Sequence, residues 1–298
     1  MAETTTNHPG TIDQPSLHIS KEGLAQLLSF VTDTLGIKMG EAKLPMLQGR
    51  LQRRLRELQL TSLEAYRELL FGDRADPSEL QHFIDAVTTN KTDFFREPQH
   101  HPVLLDRVLP ELAPRGIAGG VVPWRCKLWS APCSSGEEPY TLAMLLAEHA
   151  ARTPGFDFAI LGTDISSRML QHARRAVYDA ERIEPVPQAL RVKYLLRSRD
   201  RRRPQVRIVP ELRRRVVFHQ LNFMDRDYRV KDTFDVVFCR NVLIYFDKAT
   251  QAEVVRRLAR HLRPDGFLFV GHSESLAGLD VPFTARGNAV YRRSSDRA

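Results

Sequence analysis

The 298-residue chain is poor in cysteine: Cys126, Cys133 and Cys239 are its only three, and none stands in a CxxC spacing. That excludes a disulfide framework and a thiolate zinc site, and it points to a reducing compartment, the cytoplasm. No run approaches the roughly 18 apolar residues that cross a bilayer, and the N-terminus is polar, so neither secretion nor membrane insertion is expected. GxGxxG is absent, as are internal repeats, and no order of Ser or Cys, His and acid forms a convincing nucleophile. No metal site is expected, and the neighbours His100 and His101 read as surface residues pointing apart. What is present is an ordinary globular composition, 42 % hydrophobic and 27 % charged, with length for two domains.

The net charge of +8 suggests nucleic acid until it is located. Residues 1–100 hold 11 basic and 14 acidic side chains, whereas residues 191–215 alone hold 11 basic and 2 acidic, a balance of +9. The excess is one local patch, which weakens a general polyanion-binding reading.

Residues 1–16 are polar and read as a disordered leader. Residues 17–88 carry helical spacing throughout: Leu24, Leu27, Leu28 and Val31 fall at i, i+3, i+4 and i+7. Further helices are predicted over 44–58, 62–71 and from Asp76-Pro77-Ser78-Glu79 onward. The second has an apolar seam of Leu47, Leu51, Leu55 and Leu58, and projects Lys43, Arg50, Arg53, Arg54 and Arg56. Its basic side is either a solvated face or a docking face for an acidic partner.

Residues 89–298 change pattern. Strand candidates at 125–129, 158–162, 216–220, 234–239, 266–271 and 289–292 alternate with helices at 140–151, 166–176 and 250–261. This predicts an α/β fold with a parallel sheet covered on both faces. The basic stretch, about 190–217, interrupts the alternation and reads as a small antiparallel insertion with an Arg-rich loop.

Open α/β sheets bind ligands at the carboxyl ends of their strands. The first strand leaves into SAPCSSGEEP, whose Glu137 and Glu138 either compensate a helix dipole or hold a cationic or hydroxyl-bearing ligand. The second ends at Asp164, a position suited to a ribose diol or to a helix cap. Later exits present Asn222-Phe223, then Arg240-Asn241 with Tyr245 beyond, then Gly271-His272-Ser273-Glu274-Ser275, a motif that can equally be a polar turn with a cap. The linker Thr88–Glu97 pairs two phenylalanines with Arg96 and several hydroxyls.

The segments TTNKTDFFRE, LWSAPCSSGEEPYTLAMLL, GTDIS, LNF, FDVVFCRNVLIYFD and GFLFVGHSESL, in this order from about residue 20 onward, resemble the chemotaxis-receptor glutamate O-methyltransferases, the CheR family. The resemblance implies a Rossmann-like S-adenosylmethionine (SAM)-dependent methyltransferase domain, an N-terminal all-α domain and a small inserted antiparallel β-subdomain. It implies cofactor contacts at Asn90, Thr92, Arg96, Glu137 or Glu138 (Glu138 favoured), Asp164, Asn222, Phe223, Arg240 and Asn241, with Arg96 and Tyr245 at the active site. In this picture Asp164 or the glutamate holds the ribose, Asn222 and its neighbour the adenine edge, and arginines the methionine carboxylate. The product is S-adenosyl-L-homocysteine, and the substrate is glutamate on the acidic cytoplasmic helical bundle of a chemoreceptor. The helix with Arg50, Arg53, Arg54 and Arg56 looks like the family's receptor-facing helix. A monomer with no stable nucleic-acid partner is expected. One departure stands out: members that tether a receptor's C-terminal pentapeptide carry a glycine-rich loop in the insertion, whereas Arg197 through Pro204 contain no glycine. Tethering is therefore not expected. A methyltransferase acting on RNA is the alternative, but RNVLIYF lacks the Pro-Pro-aromatic exit common in base-methylating enzymes. A non-catalytic SAM-binding regulator is a third reading, against which Arg96, Asn241 and Tyr245 argue.

Overall fold

A computed structural model describes residues 18–39, 44–73, 75–118, 124–200 and 202–294. The leader at 1–16, Lys43 and Arg201 lie outside the described residues. The chain forms two compact units, one from residues up to 87 apart from 33–38, the other from 33–38 and 88 onward.

The first unit contains α1 (Lys21–Leu35) as far as Thr32, α2 (Leu44–Glu57), α3 (Leu63–Phe71) and α4 (Pro77–Val87). The predicted seams are buried in part: Leu27, Val31, Leu47, Leu51 and Leu55 are fully enclosed with Leu63, Tyr66 and Phe83, whereas Leu24, Leu28 and Leu58 are half-buried. Ser62 caps α3 by accepting a hydrogen bond from the Ala65 amide, as a short polar side chain before a helix should. The basic side of α2 splits. Arg54 donates to buried Glu79 at 2.9 and 2.5 Å, and the Tyr66 hydroxyl donates to the same carboxylate at 2.7 Å. Arg50 donates to the Val87 carbonyl at 2.6 Å. Only Arg53 and Arg56 of the four are exposed.

The second unit is built on a seven-stranded sheet of β1 (Trp124–Ser130), β2 (Phe156–Asp164), β6 (Val216–Gln220), β7 (Phe234–Cys239), β8 (Leu262–Val270), β9 (Phe283–Ala285) and β10 (Val290–Arg293). Its order is β6-β2-β1-β7-β8-β10-β9. The first five of these run parallel, and β10 and β9 close the edge as an antiparallel pair. The predicted last strand is therefore antiparallel to its neighbour: the hairpin-length return at 286–289 is too short for a crossover. Alternate residues feed two cores. Leu128, Phe238 and Phe269 face one side with Tyr140 and Phe158, whereas Trp129, Val237 and Leu268 face the other with Val254 and Leu258. All three cysteines are buried free thiols in or beside these strands, and burial pushes each thiol's pKa up.

Helices α5 (His100–Pro102), α6 (Leu109–Ala118), α7 (Glu137–Ala150), α8 (Ser167–Arg175), α9 (Gln188–Tyr194), α10 (Pro210–Arg213) and α11 (Lys248–His261) complete the unit. The small sheet has the order β3-β5-β4, from β3 (Val177–Asp179), β4 (Leu195–Arg197) and β5 (Gln205–Ile208). It is antiparallel, as expected, but it begins upstream of the 190–217 stretch, because β5 pairs with β3 directly after α8. Three residues carry too little periodicity to be legible as a strand.

Candidate cofactor and active site

The chain passes from β1 to β2 on one side, while β7 lies on the other, so the crevice of the sheet opens beyond the carboxyl ends of β1 and β7. The predicted residues come from five segments: the loop at 88–97 and the exits of β1, β2, β6 and β7.

Asp164, at the end of β2, accepts from the backbone amides of Ser134 at 2.8 Å and Ser166 at 2.9 Å. Ser134 in turn donates its hydroxyl to the Asn90 carbonyl at 2.9 Å, which joins the β1 exit to the loop before α5. Gly136 heads α7 with φ +98, and a Cβ there would stand 2.8 Å from the Tyr178 hydroxyl and 2.9 Å from the Ala173 Cβ. Both conformation and contact demand glycine.

The two glutamates have separate tasks. Glu137 is buried, taking Ser135 Oγ at 2.6 Å and Arg182 Nη2 at 2.7 Å. Arg182, just beyond β3, also donates to the Thr92 carbonyl at 2.6 Å. Glu137 thus ties the small sheet to the loop at 88–97, and its side chain points into the scaffold. Glu138 takes Ser130 Oγ at 2.7 Å and Arg240 Nε at 2.7 Å.

Arg240 has a side chain only 4 % exposed, and its other guanidinium nitrogens donate to the Arg96 carbonyl at 3.1 Å and to His100 Nδ1 at 3.1 Å. Its polar group is therefore engaged by the protein throughout. Arg96 differs: one nitrogen donates to the Lys91 carbonyl at 2.8 Å, and the residue is half-buried. A cavity brings together Asp93, Arg96, His101, Glu138, Thr141 and Arg240.

Beyond β7, Asn241 adopts φ +59 and donates its amide to Glu97 at 3.0 Å. A short 3-10 turn, Leu243–Tyr245, follows and carries Tyr245, half-buried. Arg96 and Tyr245 share no hydrogen bond among the described residues. Thr92 is buried. The Asn222 amide group is held on both sides, donating to the Thr34 carbonyl at 2.7 Å and accepting from the Met224 amide at 3.0 Å. Phe223 is buried beside Tyr228 and Phe246.

His100 is not the surface residue expected. It is fully buried, bonded through Nε2 to the Asn288 carbonyl at 2.9 Å and stacked on His272 at 4.7 Å. Sequence neighbours reveal nothing of such packing, since the partners lie far along the chain. Glu97, His100 and His272 bring ligand atoms within 4.8 Å of one another, but the lone pair of His100 Nδ1 receives the Arg240 donor, whose positive charge also opposes a cation.

Comparison with known proteins gives the family. Residues 90–291 match the family described as "CheR methyltransferase, SAM binding domain", and residues 22–88 match "CheR methyltransferase, all-alpha domain". The chain belongs to the CheR methyltransferase family. It is 38 % identical over 281 residues to a chemotaxis protein methyltransferase of Escherichia coli K12, covering 94 % of this chain and 93 % of that one. It is 37 % identical over 290 residues to chemotaxis protein methyltransferase 2 of Pseudomonas aeruginosa, covering 97 % and 98 %. With the family, SAM enters as the cofactor. The donor set fits it: a carboxylate at the end of β2 for a diol, an open-sided arginine for an anionic end, and a crevice at the sheet's switch point.

Three contributors escaped the sequence reading. Glu97 and Arg182 stand in plain view but have long-range partners, and Glu274 was read only as part of a polar turn. The cluster also makes a pH prediction. Burial, with Arg240 beside it, lowers the His100 pKa to about 4, and burial lowers that of His101 to about 4. Unfolded, each histidine titrates at roughly 6.5, so between that pH and 4 the unfolded chain binds the extra protons and stability falls on acidification. Histidine NMR titration should show both rings neutral at pH 5.5; titration near 6.5 would refute the assignment.

Proposed function

We propose that this SAM-dependent methyltransferase esterifies glutamate side chains on the cytoplasmic helices of bacterial chemoreceptors, working in the cytoplasm. The observation that supports this reading most is the contrast between two arginines. Arg240 is wholly engaged by the protein, whereas Arg96 keeps most of its guanidinium free for an anionic group at the crevice. Asp164 would hold the ribose, and the backbone of Phe223 would meet the adenine edge, since the Asn222 amide is taken by the chain itself. Asn90, Thr92 and Glu138 shape the walls around the cofactor.

Bound SAM supplies a methyl group on a sulfonium, a good leaving group. A glutamate with a pKa of about 4.3 is already ionised at neutral pH, so the protein needs no strong general base. Its residues contribute alignment and exclusion of water. Arg96 orients the anionic groups and Tyr245 lines the transfer position. Labelled-methyl transfer from SAM should go to receptor fragments and not to RNA, and the product should be base-labile, as a glutamyl ester is. Arg96→Ala and Tyr245→Phe should each lower that transfer by about 100-fold, the loss expected for misaligned reactants. Full transfer by both variants would sink the assignment.

Docking is assigned to the exposed basic residues of α2. Arg50 and Arg54 are bonded within the helical unit, whereas Arg56 and Arg53, the latter in an exposed ion pair with Glu57 at 2.9 Å, remain accessible to acidic receptor helices. Reversing both to Glu should lower kcat/KM for a receptor fragment by about 10-fold and leave the KM for SAM unchanged. Unaltered kcat/KM would remove the docking role.

The reading is of a pentapeptide-independent enzyme. The loop from Arg197 to Pro204 has no glycine, and none of its described residues has positive φ. Calorimetric titration with a receptor's C-terminal pentapeptide should give no binding heat, and a micromolar Kd would overturn the reading.

A further inference from the structure

Glu274 follows β8 in the Gly271-His272-Ser273-Glu274 turn and is buried. Its carboxylate collects four backbone amides. Oε2 accepts from Asn241 at 2.8 Å and Gly271 at 2.5 Å, and Oε1 accepts from Val242 at 2.8 Å and Leu243 at 2.7 Å. A carboxylate offers about four acceptor sites and no donor, so it suits this ring of N–H groups as no neutral side chain does. Three of the four amides belong to the turn after β7, more than 30 residues earlier in the chain.

That turn carries Asn241 and Tyr245. Asn241 sits in the left-handed region at φ +59, which asparagine tolerates better than other non-glycine residues and which its partners here fix. Glu274 holds it from the backbone side, and Glu97 holds it from the amide side at 3.0 Å. The 3-10 turn begins at the two amides gripped by Oε1, and Gln251 closes its far end by donating to the Leu243 and Phe246 carbonyls at 2.9 and 3.1 Å. Gly271 leaves the space: a Cβ there would lie 2.6 Å from Asn241 Nδ2 and 2.8 Å from Glu274 Oε2.

We propose that Glu274 is a positioning residue, a distant cap that sets the turn holding Asn241 against the cofactor and Tyr245 at the transfer position. The proposal rests on the reading of those two residues given above. Glu274→Gln keeps the size of the side chain but turns an amide NH2 toward two N–H donors. In the full chain it should weaken S-adenosyl-L-homocysteine binding about 10-fold by calorimetry, the equivalent of one hydrogen bond. It should also lower kcat about 100-fold at saturating SAM and receptor fragment, because Tyr245 is displaced. Glu274→Asp, which keeps the charge on a shorter stem, should fall between the variant and the wild type in both quantities.

A purely structural role would lower the folded fraction while leaving Kd, and kcat per folded molecule, at wild-type values. That result, or Kd and kcat within twofold of wild type in either folded variant, overturns the proposal. If Glu274→Gln does not melt cooperatively, Glu274→Asp alone decides by the same measurements. Should the wild type transfer no methyl to receptor fragments, the substrate reading fails by itself, and the cofactor Kd still judges Glu274.

Discussion

A guanidinium cannot shed its charge, so burying one obliges the protein to meet its donors. Arg240, 4 % exposed at its side chain, imposes that obligation at the end of β7. Glu138 answers it from α7, the Arg96 carbonyl from the loop before α5, and His100 from α5 itself. Each partner is then fixed in turn: Glu138 by Ser130 on β1, and His100 by the Asn288 carbonyl. Two strand ends, two helix starts and a loop are referenced to one planar group. Removing a partner would leave a charge buried without compensation, which costs several kcal/mol. The crevice beyond β1 and β7 therefore takes its shape from a network of the protein's own groups centred on Arg240.

The loop at 88–97 shows what this does to an irregular segment. Phe94 packs edge-on against Tyr178 at 4.9 Å, and the Phe95 amide donates to Thr141 at 3.1 Å. The carbonyls of Asn90, Thr92 and Arg96 accept from Ser134, Arg182 and Arg240. Main-chain acceptors thus anchor the loop, with Phe95 and Glu97 both at φ +54. Such strained positions persist where the surroundings over-determine them. The consequence is that the Arg96 side chain projects from a backbone clamped on both sides.

Much of this architecture was legible in the residues. Apolar runs marked β1, β2, β6 and β7, although only β7 is buried at every residue; the edge strand β6 alternates and leaves Val217 exposed. The strand predicted at 266–271 in fact begins at Leu262 and absorbs Pro264-Asp265-Gly266 as a register shift against β7. Asp164, Glu138, Arg240 and Asn241 do lie at or just beyond strand exits, as read from the sequence. Roles were less legible than places. Glu137 and Glu138 are identical neighbours, and only helical rotation sends one toward Arg182 and the other toward Arg240. Asn222 has the chemistry to read an adenine edge, but its amide is bound to Thr34, a partner 188 positions away. Glu274 looked like any capping acid because its amides lie in another segment.

Arginine shows most plainly why composition undersells such a chain. Arg240 is a buried keystone, Arg54 braces Glu79 and Tyr66, and Arg182 staples the small sheet to the 88–97 loop. Within the basic insertion, Arg191 donates to the Val186 carbonyl at 2.6 Å, and Arg215 is paired with Asp157. Others there, Arg197, Arg199 and Arg203, stay exposed. Charge that is already compensated inside the fold projects little field outward, so the formal balance of the segment overstates what a partner meets. On α2 the same sorting leaves Arg53 and Arg56 exposed, Arg53 within an ion pair to Glu57. The charge a segment presents outward is set by what the fold leaves exposed, and that can be counted only after the buried groups have been assigned.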